Sequence, residues 1–362
     1  MKAYIVDTAA LEHNIRTLRE KAGDTVIWGV VKGNGYGLGC AEMAEILAGQ
    51  GVDHFAVTDV AEVRALREAG FRENPILMME NTACEGEINE LLDLDAIFSV
   101  GSMADAKAID GIAAQRSCVA QAHVKIDTGM GRFGFLPEQK SEILGLYEGC
   151  PNIAFTGIYT HFLNSGDANV TRDQFVKFRW IMDEIRFAGF ETGMVHCCNS
   201  TGFWKFPDMH CDAVRIGSAL LGRVGYASQA GLKKIGYCRA LVEQVRTIPA
   251  GHTVGYGGGW KAKQETEIAV IPVGYFHGFA VDRGYDLWRW QDCLRGVLRY
   301  IKALVQKKAL YVSIGGKNCR VLGHVGMVNL VADVTGLGVK PNDEAVVEIN
   351  PLLVKGMEIV YE

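Results

Sequence analysis

Several features are scarce or missing in this chain, and each absence excludes a class of function. Charge of one sign is not in excess: 37 Lys and Arg face 42 Asp and Glu, a formal net charge of −5. That rules out a strongly basic nucleic-acid binder. No apolar run of about 18 residues occurs, so no membrane span is expected and no membrane partner is assigned. Ten cysteines are scattered at 40, 84, 118, 150, 197, 198, 211, 238, 293 and 319 without a CxxC pair. Zinc-ribbon and thioredoxin readings therefore lack their motif, and no metal is expected. Vicinal Cys197 and Cys198 read as reduced, buried small residues. No GxxxxGK[ST] string is present, which excludes a P-loop. The opening MKAYIVDTAALEHNI turns polar at once and has no secretory apolar core. The expectation is a reduced, cytoplasmic protein.

What is present is an ordinary globular composition: 362 residues, 49% hydrophobic and 22% charged. The length predicts about two domains, since single cores stop growing beyond about 250–300 residues. Glycine is abundant, 43 residues, while proline numbers eight. Glycine in excess points to tight βα turns or backbone close to a ligand.

Residues 9–235 alternate between short β-branched runs and amphipathic stretches. Candidate strands are 26–32, 54–59, 75–79, 96–100, 122–127, 154–159, 194–198 and 212–217, with helical patterns such as 60–69, 103–114 and 172–187 between them. Eight strands alternating with helices predict an α/β fold with an N-terminal (β/α)8 barrel; an open doubly wound sheet fits the alternation too. Residues 236–362 change character. Short strands at 241–248, 265–273, 309–314, 319–325, 327–334 and 344–349, joined by glycine-rich turns, predict a mainly antiparallel β domain, which strand 1–8 is expected to join. A helical insertion, 286–308, interrupts it, with Leu287, Trp290, Leu294, Val297, Leu298, Ile301, Leu304 and Val305 at helical spacing. Its other face carries Arg295, Arg299, Lys302, Lys307 and Lys308. That face reads as a solvated basic surface, with a partner-binding helix as the alternative.

The most informative string is VVKGNGYGLG, residues 30–39. An aliphatic strand delivers Lys32 into a glycine-rich loop. An amine held in a low-dielectric site can lose its proton and form a Schiff base, the glycines let backbone approach a bound group, and Tyr36 could bond a phosphate. An exposed loop lysine accounts for the spacing equally well. Taken singly, His161 could be a satisfied core histidine, Arg215 an ion-pair partner and Tyr256 a packed tyrosine. Lys32, Lys125, Arg132, His161, Asn199, Ser200 and Arg215, however, all fall at or just beyond C-terminal strand ends, where barrel active sites lie.

VVKGNGYGLG closely resembles a signature of the alanine racemase family, usually VVKANAYGHG. Further similar strings follow in order: HVKIDTGMGRFGF (123–135), GIYTHF (157–162), CCNSTG (197–202), VRIGSALLG (214–222), TVGYGGGW (253–260), IPVGY (271–275) and VGMVNLVADVTG (325–336). The resemblance spans almost the whole chain. It implies a homodimeric enzyme dependent on pyridoxal 5′-phosphate, with a barrel, a β domain and shared active sites, that racemises an amino acid, alanine first.

Residue by residue, the resemblance implies that Lys32 holds the cofactor and acts as one base, while Tyr256, from the partner subunit, acts as the other. Arg215 would face the pyridine nitrogen. Because a guanidinium only donates, it would keep that nitrogen unprotonated and suppress transamination. Tyr36, Ser200, Gly217 and Ser218 would cradle the phosphate, and His161 and Asn199 would support the cofactor and Arg215. Arg132 would lie near the phenolic oxygen, and Lys125 would be a carbamylated lysine able to pair with it. Met327 and Tyr275 would meet the substrate. Departures fall around the entrance: His277 and Val281 replace an aspartate and an arginine, His324 and Val328 replace an arginine and an aspartate, and Pro351 replaces a tyrosine. A wider mouth that admits serine is the alternative. Decarboxylases of similar architecture need a cysteine–aspartate pattern not found here. A non-catalytic carrier of the same cofactor would explain the lysine loop, but such proteins lack the β domain and need no Tyr256; a plain binding module would explain the basic helix but not the rim residues.

Overall fold

The computed structural model describes residues 1–282 and 288–362. Leu287 and residue 286 of the expected insertion lie outside them. The chain divides into two compact units, Thr8–Ile235 and a second made of Met1–Asp7 with Gly236–Glu362.

After β1 (Lys2–Val6), the first unit carries eight parallel strands: β2 (Val26–Val30), β3 (His54–Val57), β4 (Ile76–Met78), β5 (Phe98–Val100), β6 (Ala120–Ile126), β7 (Ile153–Thr160), β8 (Met194–His196) and β9 (Ala213–Ile216). Their order is β4-β3-β2-β9-β8-β7-β6-β5. A parallel bridge between Leu77 and Ile97 joins the two ends, so the sheet closes into a barrel and the open-sheet alternative falls. Helices between the strands bury one apolar stripe each. In Met103–Gln115, for example, Ala106, Ile109 and Ala113 are buried, and Ser102 caps the start by accepting the Asp105 amide. Trp28, Val30, Ala56, Leu77, Ile97 and Ala213 fill the barrel. Some strands end sooner than their apolar runs: β2 stops at Val30 and β8 at His196. Lys32 and Asn199 therefore stand on loops beyond the strand ends.

The second unit holds a six-stranded sheet and a three-stranded one. β10 (Gly236–Leu241) pairs antiparallel with β1 and with the strand Glu344–Val347. Residues 358–361 pair parallel with β1, a strand the sequence reading did not anticipate. Every other pairing in this unit is antiparallel. Within 286–308 the helix runs Trp290–Val305.

Candidate active site

The site is built at the C-terminal ends of the barrel strands. Past Val30, Lys32 opens a turn in which Gly33, Asn34, Gly35 and Tyr36 all adopt left-handed backbone, φ 63°, 50°, 63° and 59°. Four such residues in succession are costly outside glycine, and something must hold them. Glu62, buried in the helix Val60–Glu68, does so: Oε1 accepts the Asn34 amide at 2.7 Å and Oε2 the Thr58 amide at 2.9 Å. Sequence reasoning passed over Glu62. Its only signal was a position three residues after the capping Asp59, where a carboxylate ordinarily turns back on its own helix.

A second loop follows β6. The Asp127 carboxylate accepts the amides of Gly129, Met130 and Arg132 at 2.9, 2.7 and 3.0 Å. The loop folds back so that Phe135 pairs with β6. Gly134 makes that return possible, because a Cβ there would meet the Asp127 amide at 2.7 Å. This arrangement delivers Arg132 to the rim. Lys125 sits one turn inside, buried, with Nζ donating to the Met79 carbonyl at 2.7 Å and lying over the Phe133 and Tyr159 rings. Burial, reinforced by Arg132 and Arg215, pulls its pKa down to about 7. The Lys32 amine is lowered too, first by burial and then by Arg132.

Arg215, on β9, is buried under a dense set of acceptors. Nη1 donates to His196 Nδ1 at 2.7 Å and Nη2 to the Thr160 carbonyl at 2.7 Å and His161 Nδ1 at 3.4 Å. A guanidinium can only donate, so His196 Nδ1 must be bare. Its proton sits on Nε2, which donates to His123 Nδ1 at 2.9 Å. Burial keeps His123 and His161 neutral, with pKa values down to about 3, and His196 is lowered as well. His123 opens one of the quoted motifs and His196 falls in the candidate strand 194–198, but neither is given a role by the sequence. One donor remains: Arg215 Nε is buried without a partner.

On the opposite side, the Tyr36 hydroxyl presses against Gly217, where a Cβ would lie 2.0 Å from it. Ser200 Oγ accepts the Gly217 amide at 3.1 Å and the Ala219 amide at 3.4 Å. Asn199 Oδ1 caps the short helix Ser200–Lys205, accepting the Thr201 and Gly202 amides at 3.1 and 2.9 Å, and also accepts from Ser165. Asn199 thus supports the Ser200 end of the site, whereas Arg215 takes its partners from His161, His196 and backbone carbonyls.

These groups converge. A cavity of about 330 Å³ is lined by Lys32, Tyr36, Lys125, Arg132, His161, Asn199, Ser200, Arg215, Gly217 and Ser218, with Glu80 and Thr58 among its other walls. It gathers four basic side chains, two of them arginines that stay charged, in a chain whose net charge is negative, so it is suited to an anionic guest. Tyr256, Tyr275 and Met327 lie in the other unit. Tyr256 is 81% exposed on a turn preceded by Gly255, where a φ of 79° and a Cβ that would lie 2.9 Å from the His324 amide require glycine. The Tyr275 amide donates to the Gly326 carbonyl and the Phe276 amide to that of Met327, which sets those two segments side by side. Among the entrance departures, His277 is buried and accepts the Gly274 amide, Pro351 is buried, and Val281 and Val328 are exposed.

The residues present fit pyridoxal 5′-phosphate. The orphaned Arg215 Nε is a donor without an acceptor, which a pyridine nitrogen would supply. The Gly217 backbone, open where a side chain would collide with Tyr36, fits a phosphate cradle, and the depressed Lys32 amine fits attachment to an aldehyde.

The comparisons agree with this geometry. The family models described as alanine racemase N-terminal and C-terminal domains match residues 6–224 and 237–352. An alanine racemase of Desulforamulus reducens is 31% identical over 354 residues, covering 94% of this chain and 88% of that protein. One from Methanococcus maripaludis is 32% identical over 282 residues, covering 76% and 75%. Among solved structures, alanine racemase from the D-cycloserine producer Streptomyces lavendulae superposes with a TM-score of 0.86 at 25% identity, over 100% of this chain and 97% of that one. With barrel, rim residues and both family models in agreement, the chain belongs to the alanine racemase family of pyridoxal 5′-phosphate-dependent amino-acid racemases.

Proposed function

We propose that this chain interconverts L- and D-alanine, with Lys32 and Tyr256 as bases on opposite faces of the substrate. We further propose that it works as a homodimer in the cytoplasm, each site completed by its partner's tyrosine. The observation that carries the reading is the cationic cavity in which a depressed Lys32 amine stands opposite a buried arginine with one donor unused.

Pyridoxal 5′-phosphate, when bound, withdraws electrons and acidifies the α-hydrogen of the amino acid joined to it. The chain's residues do the rest. Tyr36, Ser200, Gly217 and Ser218 would hold the phosphate, and His161 would support the cofactor. Arg215, with Nε unpartnered, would face the pyridine nitrogen and, as a guanidinium that only donates, would leave that nitrogen unprotonated, which would weaken the electron sink and keep transamination minor. The neutral His123–His196 pair fixes the guanidinium from behind. Lys32, its pKa lowered by burial, would take or return the α-proton on one face. Tyr256 does so on the other, and Arg132 steers the substrate and cofactor oxygens. Met327 and Tyr275 bound the substrate's side. Lys125, neutral above about pH 7, is suited to add carbon dioxide, and the resulting anion would neutralise Arg132. All ten cysteines are free thiols, which agrees with a reducing compartment.

Borohydride trapping followed by peptide mapping should label Lys32. A panel of L-amino acids scored by chiral chromatography, with loss of α-deuterium to water, should show alanine turned over fastest. A label on another lysine would overturn the cofactor assignment, and serine turned over faster than alanine would overturn the substrate assignment.

A further inference from the structure

We propose that the helix Trp290–Val305 seats this protein on an anionic membrane surface. The helix is oriented contrary to the usual arrangement. Its apolar stripe, Trp290, Leu294, Val297, Ile301 and Leu304 widened by Leu298 and Val305, is at least half exposed at every position. The only buried residue of the helix is Gly296, and Ala303, seven positions on and therefore on the same side, is half-buried. The chain thus packs the helix by its small residues and turns its apolar stripe outward. From Leu304 to Leu298 that stripe covers roughly 120° of the circumference at ~100° per residue, and the exposed Tyr300 widens it to roughly 160°, more than a coiled-coil seam.

Charge selects the occupant. Residues 288–308 carry Arg289, Arg295, Arg299, Lys302, Lys307 and Lys308 against Asp292 alone, a net of +5 inside a chain of net −5. Pairing this helix with its copy in a second chain would bring two such cationic segments together. An anionic lipid surface satisfies both halves: acyl chains take the stripe while headgroup phosphates take the flanking cations. Asp292 pairs with Arg289 at 2.7 Å and Arg295 at 3.3 Å, and Asp282 with Arg299 at 3.3 Å. The three arginines are exposed, while the Asp292 side chain is 14% accessible, so phosphate meets the guanidinium side of each pair from solvent. Trp288 and Trp290 at one end and Lys307 and Lys308 at the other are residue types that prefer the lipid–water boundary. Sixteen residues extend about 24 Å, short of a bilayer core of about 30 Å. Among the described residues no helix is long and apolar enough to cross a membrane, so this helix lies in the plane of the surface.

Cosedimentation of the holoenzyme with vesicles tests this. Binding is expected to equal parts of phosphatidylglycerol and phosphatidylcholine, to weaken with salt, and to be lost on phosphatidylcholine alone. Ile301→Asn with Leu304→Asn should weaken it ~100-fold or more, and Lys307→Gln with Lys308→Gln roughly 30-fold, with racemase activity in solution unchanged. Failure of the wild type to bind the anionic vesicles, or equal binding by both variants, overturns the proposal. So does a change in oligomeric state of the Ile301/Leu304 variant in sedimentation velocity without lipid, which would make the stripe a contact between copies of this chain.

Discussion

Adding one methyl group at Gly217 should dismantle the phosphate side of the site through Tyr36. An alanine Cβ there would lie 2.0 Å from the Tyr36 hydroxyl, 2.9 Å from Cζ and 3.1 Å from Cε2. Comfortable heavy-atom contacts begin near 3.5 Å, so the hydroxyl must withdraw by roughly 1 Å or more. At that displacement it no longer reaches a phosphate oxygen that the glycine backbone also faces. A hydrogen bond to a charged acceptor is worth about 1.5–3 kcal/mol, so cofactor affinity should fall ~10–150-fold. The measurement is a titration of cofactor back into stripped enzyme, followed by fluorescence quenching. The decisive arm is a double-mutant cycle. Tyr36→Phe alone should cost a similar amount. In that background Gly217→Ala should cost less, because the hydroxyl it would strike is gone and the ring carbons, at 2.9 and 3.1 Å, need yield by only about 0.4–0.6 Å. Additive losses in the double variant, or an unchanged affinity in Gly217→Ala alone, would falsify the account. Thermal unfolding of the stripped proteins separates this from general overpacking, which costs ~1–3 kcal/mol wherever it occurs.

Three further outcomes follow. Lys125 gains a proton as pH falls through about 7, and only the neutral amine adds carbon dioxide; a carbamate resonance in carbon-13 bicarbonate should therefore appear above pH 7 and fade below it, and a signal that persists in Lys125→Arg would refute the assignment. Glu62→Ala leaves the Asn34 and Thr58 amides without their carboxylate, at about 1–3 kcal/mol for each amide kept from water; chemical denaturation should show the loss and cofactor titration a weakened Lys32 loop, whereas a wild-type midpoint would mean that the left-handed turn holds itself. Tyr256→Phe should slow α-hydrogen exchange of the L-enantiomer ~10²–10⁴-fold and more than that of the D-enantiomer; mixing it with inactive Lys32→Ala protein should restore activity if sites are shared, and no recovery after verified subunit exchange would place both bases in one chain.

The barrel was legible because its signals are local. Strand–helix alternation repeats along Thr8–Ile235, each helix buries its stripe, and VVKGNGYGLG announced a lysine beside backbone that must bend. Rim position then followed from strand ends, which is why ten of the residues named from sequence line one cavity. Closure of the sheet could not be read this way, since alternation is the same in open and closed sheets; only the Leu77–Ile97 bridge decides it. Strand ends were overextended at Val30 and His196 because apolar runs continue into loops that are themselves buried.

What tertiary structure alone decided is long-range. Glu62, which the sequence does not single out, holds the loop 28 residues away. His123 and His196 became the backing of Arg215 only once three strands brought them together. The helix Trp290–Val305 had a periodicity that announces amphipathicity, yet periodicity says nothing of which face meets protein. Gly296 and Ala303 do, by being the side small enough to pack. Local propensity and chemistry are written along the chain. Which distant donor meets which acceptor, and which face is left to the solvent, are properties of the folded contacts.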